Sequence, residues 1–165
     1  MKVFVTGATG FIGKEVLSLL RERGHSVIAL TRDAQKASIS LPVVCEIVEG
    51  NPQQPGDWIQ KLEGVDAVLH LAGENVVGRW TANLKREIVR SRIESTRNLI
   101  QAFKKLRQKP SVFISASAIG YYGDRADDEI NENSTPGTGF LAEVCQSWEN
   151  EVFLAMESGI RTAAM

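Results

Sequence analysis

The stretch VFVTGATGFIG, residues 3–13, decides how the rest of the chain is read. A β-branched run ends at Gly7, glycines recur at positions 10 and 13, and a helical pattern begins at once. A strand before and a helix after is the context in which glycines let a backbone turn tightly, approach a pyrophosphate and pack helix against strand. The start of the helix then offers unpaired N–H groups to an anion. Gly7, Gly10 and Gly13, with Thr9, Phe11 and Ile12 among them, are therefore the expected cradle of a dinucleotide.

Outward from this turn the pattern repeats. Residues 11–23 read as a helix with Ile12, Val16, Leu19 and Leu20 on its apolar side and Gly24 closing it. HSVIALTR (25–32) reads as a second buried strand and VVCEIVEGN (43–51) as a third, followed by a turn over 52–56 and a short helix over 57–62. VDAVLHLAG (65–73) is the fourth strand. The longest helix is expected over 81–109, with Leu84, Ile88, Ile93, Leu99, Phe103 and Leu106 inward and Pro110 stopping it. SVFISASAIG (111–120) is a fifth strand, 124–139 a polar loop and 140–156 a helix whose inward side includes Leu141, Val144, Cys145, Trp148, Val152 and Leu154. GIRTAAM (159–165) begins as a sixth strand. Strands alternating with helices imply right-handed crossovers and a parallel sheet covered on both faces. The fold class is α/β, a doubly wound parallel sheet of the Rossmann type, in one domain over residues 1–165. In such sheets cofactors bind beyond the carboxyl ends of the strands, so residues that follow strand ends are the informative ones.

Composition narrows the partners. With 43% hydrophobic and 24% charged residues in 165, the chain can build a core. Its formal net charge of −1 gives no global positive field for nucleic acid or an anionic membrane. Basic residues of the long helix interleave with Glu87 and Glu94, as on a solvated helix face. Two cysteines and two histidines, far apart, supply neither a disulfide framework nor a metal-ligand spacing. No apolar run reaches the roughly 18 residues that cross a bilayer. These features suit a cytoplasmic protein, or an organelle stroma after removal of a transit peptide.

The end of the second strand bears on which dinucleotide is held. Asp or Glu there binds the ribose 2′-hydroxyl of NAD and repels the 2′-phosphate of NADP. Here Thr31 is followed by Arg32, a hydroxyl and a guanidinium suited to a phosphate monoester, and NADP is expected over NAD. Asp33 speaks for the other choice. Arg92, four residues after Ile88 and seven before Leu99, falls within the apolar side of the long helix, where an unpaired guanidinium is costly. It is expected to meet an anion.

The spacing G-x-x-G-x-x-G in TGATGFIG (6–13) resembles the extended, epimerase-like branch of the short-chain dehydrogenase/reductases. The likeness extends to VEGN (48–51), HLAGEN (70–75), SASAIGYYGD (115–124) and GFLAEVCQSWE (139–149). The last three are similar to a narrower group of atypical "epimerase family" proteins, relatives of which have been linked to cell or plastid division. The resemblance implies Asn51 near the adenine, and Leu71, Ala72 and Gly73 beside the nicotinamide-side ribose. It also implies Arg92 and Glu87 on the cofactor.

Catalysis in the superfamily needs a Ser that orients the substrate carbonyl, a Tyr as general acid/base and a Lys four residues later that lowers the Tyr pKa. Ser117 matches the Ser, but Phe140 and Val144 stand where the Tyr and Lys belong. Tyr121, or Tyr122 beside it, is the substitute acid the sequence offers; aromatic packing is the other reading of both.

Extended members run to about twice this length and build the substrate pocket from their second half, so the chain is expected either to lack a substrate part after Met165, inside the sixth strand, or to be a minimal dinucleotide-binding module. A sheet ending on a partial strand leaves an edge, and self-association through it is a further expectation. Two functions stay open: an atypical oxidoreductase or epimerase acting on a small molecule, and a non-catalytic NADP-binding regulator that acts through a protein partner.

Overall fold

The computed structural model describes residues 1–41 and 45–165, so Val43 and Val44, read above as the start of the third strand, lie outside the described residues. Among those described, six strands form one sheet: β1 (Lys2–Thr6), β2 (Ser26–Thr31), β3 (Glu46–Glu49), β4 (Ala67–His70), β5 (Val112–Ser115) and β6 (Arg161–Ala164). Their order is β3-β2-β1-β4-β5-β6 and every pairing is parallel. The order reverses between β1 and β4, which is the switch point where such sheets open a crevice. Helices α1 (Phe11–Glu22), α2 (Ala34–Ser40), α3 (Ala82–Lys105) and α4 (Phe140–Phe153) make four of the five connections, and a 3-10 helix over Asp57–Leu62 lies between β3 and β4.

The continuous apolar runs of the central strands follow from cover on both faces. Side chains alternate: Val3 and Val5 of β1 join Leu17, Val27, Ala29 and Ala37 in one core layer. Phe4 turns the other way, into a larger layer with Ile28, Val68, Leu99, Phe103, Phe113 and Trp148. Phe103 and Phe113 meet edge to face with centroids 5.3 Å apart. Cutting either to Ala is expected to cost about 3–5 kcal/mol.

Four expectations are corrected. The inward side of α1 is Gly13 and Leu17, with Val16 and Leu20 partly covered, whereas Ile12 and Leu19 face solvent. The helix is rolled because Gly13 lies directly on the backbone of Gly7 and Ala8, which brings that face onto the sheet. Between β2 and β3 stands the helix α2, which the sequence does not announce because its seven residues bury only Ala37 and so show no periodicity. Helix α3 ends at Lys105, not Lys109, because Leu106 turns extended and the next N–H groups, of Arg107 and Gln108, find the Glu63 carboxylate at 3.3 and 2.8 Å. Helix α4 ends at Phe153, and Leu154, expected inward, is exposed in a 3-10 turn over Leu154–Ser158.

Residues 124–139 are irregular but tied down. The Arg125 guanidinium donates to the carbonyls of Tyr122, Thr135 and Pro136 and to the Thr135 hydroxyl, and Gly137 N–H bonds the Tyr121 carbonyl at 2.9 Å. No helix among the described residues is long and apolar enough to cross a membrane.

Candidate functional site

A cleft of about 500 Å³ opens at the carboxyl ends of β1, β2 and β4. Its floor is the glycine turn. Gly7 has φ +73°, and a Cβ there would come within 2.6 Å of the Leu71 carbonyl carbon, so β1 and the tail of β4 touch through a position that only glycine fills without strain. Gly13 likewise packs helix on turn. Gly10 faces the cleft as the N-cap of α1, with no side-chain cap, and the first turn carries no acidic residue. Those N–H groups are available to an anion from outside the chain, and a cleft of this size and polarity fits a nucleotide. Phe11 and Ile12 follow as the exposed first residues of α1.

The β2 side of the cleft carries Thr31, Arg32, Asp33, Lys36 and Ser40. Asp33 is the N-cap of α2: its carboxylate accepts the Lys36 N–H at 2.8 Å, and its own N–H meets the Thr31 hydroxyl at 3.3 Å. The one acid that spoke for NAD therefore has a backbone role. The floor beyond is Asn51, whose Oδ1 accepts the Gln53 N–H at 3.0 Å and so shapes the turn after β3. Lys14, Lys36, Ser40, Gln53 and Ser91 line the cleft without having been singled out from the sequence. For Lys36 and Ser40 a signal was present in Asp33, a favoured N-cap type directly after a strand.

The opposite wall is the tail of β4, Leu71, Ala72, Gly73 and Glu74. It is held from behind by a buried chain of hydrogen bonds. Ala72 N–H reaches the Thr6 hydroxyl at 3.3 Å, and Thr6 Oγ1 lies 2.6 Å from His70 Nδ1. His70 Nε2 lies 3.1 Å from the Ser95 hydroxyl, which donates to the Ser91 carbonyl at 2.5 Å. Since Ser95 spends its proton on a carbonyl, Nε2 must be the donor and Nδ1 the acceptor. The ring is neutral, and burial pushes its pKa down to about 3. At the other end the Ser91 hydroxyl accepts the Glu74 N–H at 2.8 Å.

Arg92 does stand behind this wall, its guanidinium 3.2–3.4 Å from where a Gly73 Cβ would be. Its Nη1 donates to the Glu74 carbonyl at 2.9 Å, and the group lies over the Trp148 ring at 5.3 Å. Carbonyl and ring take the place of the expected anion within the protein. Burial lowers its pKa from the usual range, with Cys145 and Glu74 acting the other way. Glu87 is apart from this group and pairs with Arg90 at 3.4 Å.

At the end of β5 the Ser117 hydroxyl donates to the Glu149 carboxylate on α4. Tyr121 and Tyr122 sit in a 3-10 turn with rings 5.2 Å apart. Phe140 packs edge to face on Trp80 at 5.6 Å, with Lys85 Nζ 5.0 Å over its ring, and Val144 is buried. Burial raises the Cys145 thiol above its ordinary range, which keeps it protonated. Among the described residues no group of three or more His, Cys, Asp or Glu is placed to hold a metal.

Comparison with known proteins places this geometry. The model of the NAD dependent epimerase/dehydratase family matches residues 3–142. The chain is 36% identical to "Epimerase family protein SDR39U1 homolog, chloroplastic" of Arabidopsis thaliana, over 94% of this chain and 45% of that protein. Among solved structures it is similar to human SDR39U1 (isoform 2) with NADPH, at TM-score 0.77 and 28% identity over 99% of this chain and 52% of that one. It is also similar to the nucleoside-diphosphate sugar epimerase of Corynebacterium glutamicum, at TM-score 0.78 and 31% identity over 100% of this chain and 33% of that one. The chain spans about half the length of the curated relatives it matches.

Proposed function

The chain belongs to the NAD dependent epimerase/dehydratase family, and from that premise we propose that it is the cofactor-binding part of an oxidoreductase- or epimerase-like protein, holding NADP(H) in preference to NAD(H). The pyrophosphate would lie against Gly7, Gly10 and the open start of α1, and the 2′-phosphate against Thr31 and Arg32. Leu71, Ala72 and Gly73 would line the nicotinamide-side ribose, with Asn51 toward the adenine. Bound there, the cofactor supplies a hydride acceptor or donor.

The capped state of Asp33 carries the preference for NADP. A carboxylate that accepts the Lys36 N–H is held toward the start of α2, while the Arg32 guanidinium lines the cleft without an ion-pair partner among the described residues. A relative solved with NADPH supports the same reading. Titration of NADPH against NADH tests it. Wild type is expected to favour NADPH by at least tenfold, and Arg32→Ala to remove most of that margin. Equal affinities in wild type would overturn the preference.

A second reading, a cofactor-binding regulator without turnover, is favoured by one observation. Ser117 is bonded to Glu149, and the positions that would carry the acid/base pair are Phe140 and Val144. Incubation with NADPH or NADP⁺ and UDP-sugars separates the two. Turnover lost in Ser117→Ala supports the enzyme; absence of turnover, together with a partner captured only in the presence of NADPH, supports the regulator.

A further inference from the structure

We propose that Lys36 on α2 is a specificity-determining residue, which closes on the 2′-phosphate together with Arg32. This rests on the dinucleotide reading above. Arg32 leaves the sheet at the end of β2, Asp33 caps the next helix, and Lys36 follows one turn later, facing the same cleft. Ser40, four residues on, lines it too, so Lys36 and Ser40 present one row of α2 to the ligand while Ala37 anchors the helix in the core. Among the described residues neither Arg32 nor Lys36 is in an ion pair. The nearby acids are committed to main-chain groups: Asp33 to the Lys36 N–H, and Glu49 to the Ala34 N–H at 3.2 Å.

The charge balance asks for a second cation. A phosphate monoester carries about −1.5 to −2 at neutral pH, more than one guanidinium neutralises. A lysine ammonium on a flexible stem adds a point charge with three donors. Asp33 has a double part in this. Its charge remains at the cleft, which makes a second cation beside Arg32 more necessary, and its capping bond starts the turn of helix that delivers Lys36.

Competition titrations on the full chain with NADP⁺, NAD⁺ and adenosine 2′,5′-bisphosphate decide the matter for wild type, Lys36→Ala and Lys36→Arg. Lys36→Ala is expected to weaken NADP⁺ and the bisphosphate about tenfold and to leave NAD⁺ within about twofold, as loss of one charge-assisted contact implies. Lys36→Arg is expected to stay within about threefold of wild type for all three, because the charge is kept. Equal loss for NADP⁺ and NAD⁺ would overturn the proposal, since the change would then lie in the cleft as a whole. An unchanged NADP⁺ affinity in Lys36→Ala would overturn it too, while the dinucleotide reading stood. Wild type that binds neither dinucleotide would remove that reading and this one with it.

Discussion

The β1–β2 side of the cleft and the β5–α4 side lie along one carboxyl edge of the sheet and are finished in opposite ways. On the first, the start of α1 has no cap, and Arg32 and Lys36 have no carboxylate partner among the described residues. On the second, Ser117 is bonded to Glu149, Phe140 packs edge to face on Trp80 under Lys85, and Val144 is buried. Polar groups left open beside a cleft are groups kept for something that arrives. Groups that satisfy one another hold the protein together, and their substitution should register in stability before it registers in binding.

Of changes at the carboxyl edge itself, the largest effect is expected at Gly7. Gly7→Ala combines a left-handed backbone at φ +73° with a Cβ pressed on the Leu71 main chain, which cannot give way as a side-chain tip would. About 3 kcal/mol of stability should be lost, and dinucleotide binding with it. Urea unfolding alongside a cofactor titration reads both, and a variant of wild-type stability would show that Gly7 does not press on the Leu71 main chain.

His70, behind the wall between the two sides, comes next. Its folded pKa of about 3 lies below the ordinary 6.5, so as the pH falls it is the unfolded chain that takes up the proton. Stability is full above about pH 6.5 and declines below it by about 1.4 kcal/mol per pH unit, or about 2 kcal/mol by pH 5. In His70→Gln this component of the slope should vanish; equal slopes in the two proteins would mean that the ring is not held neutral.

On the closed side, Ser117→Ala removes a donor from the Glu149 carboxylate and should cost about 1.5 kcal/mol, with NADPH affinity within about twofold of wild type. A large loss of affinity at unchanged stability would move Ser117 to the open side of the comparison. Asp33→Ala is the smallest change, about 1 kcal/mol for a lost cap. NAD⁺ affinity should not fall with it, and a fall would make Asp33 a ribose ligand after all.

Much of the fold was legible because buried strands and the glycine turn leave local marks. VFV (3–5) and VIAL (27–30) are apolar throughout since both faces are covered, and TGATGFIG carries its spacing in eight residues. Helix α2 left no such mark: one buried residue in seven gives no period, and with it Lys36 and Ser40 went unseen. The roll of α1 was misread because Gly13, with no side chain to weigh, is what defines the inward face. The chain from Thr6 through His70 to Ser95 joins residues 64 and 25 apart, and no local pattern reports such a bond. Arg92 showed its place in the sequence but not its partner, since a carbonyl and an aromatic face leave no charge to look for.

The clasp made by Arg125 bears on how the chain meets proteases. Residues 124–139 have the polar, glycine- and proline-bearing composition of a segment that is usually cut first. Trypsin would have to draw the Arg125 side chain into its specificity pocket, and that guanidinium is bonded to three carbonyls and a hydroxyl of its own loop. Cleavage there requires the loop to open before the enzyme can bind. Resistance at Arg125 therefore gauges the integrity of the closed side, and it would fall when the contacts around Tyr122 and Gly137 loosen, whether or not any cofactor is bound.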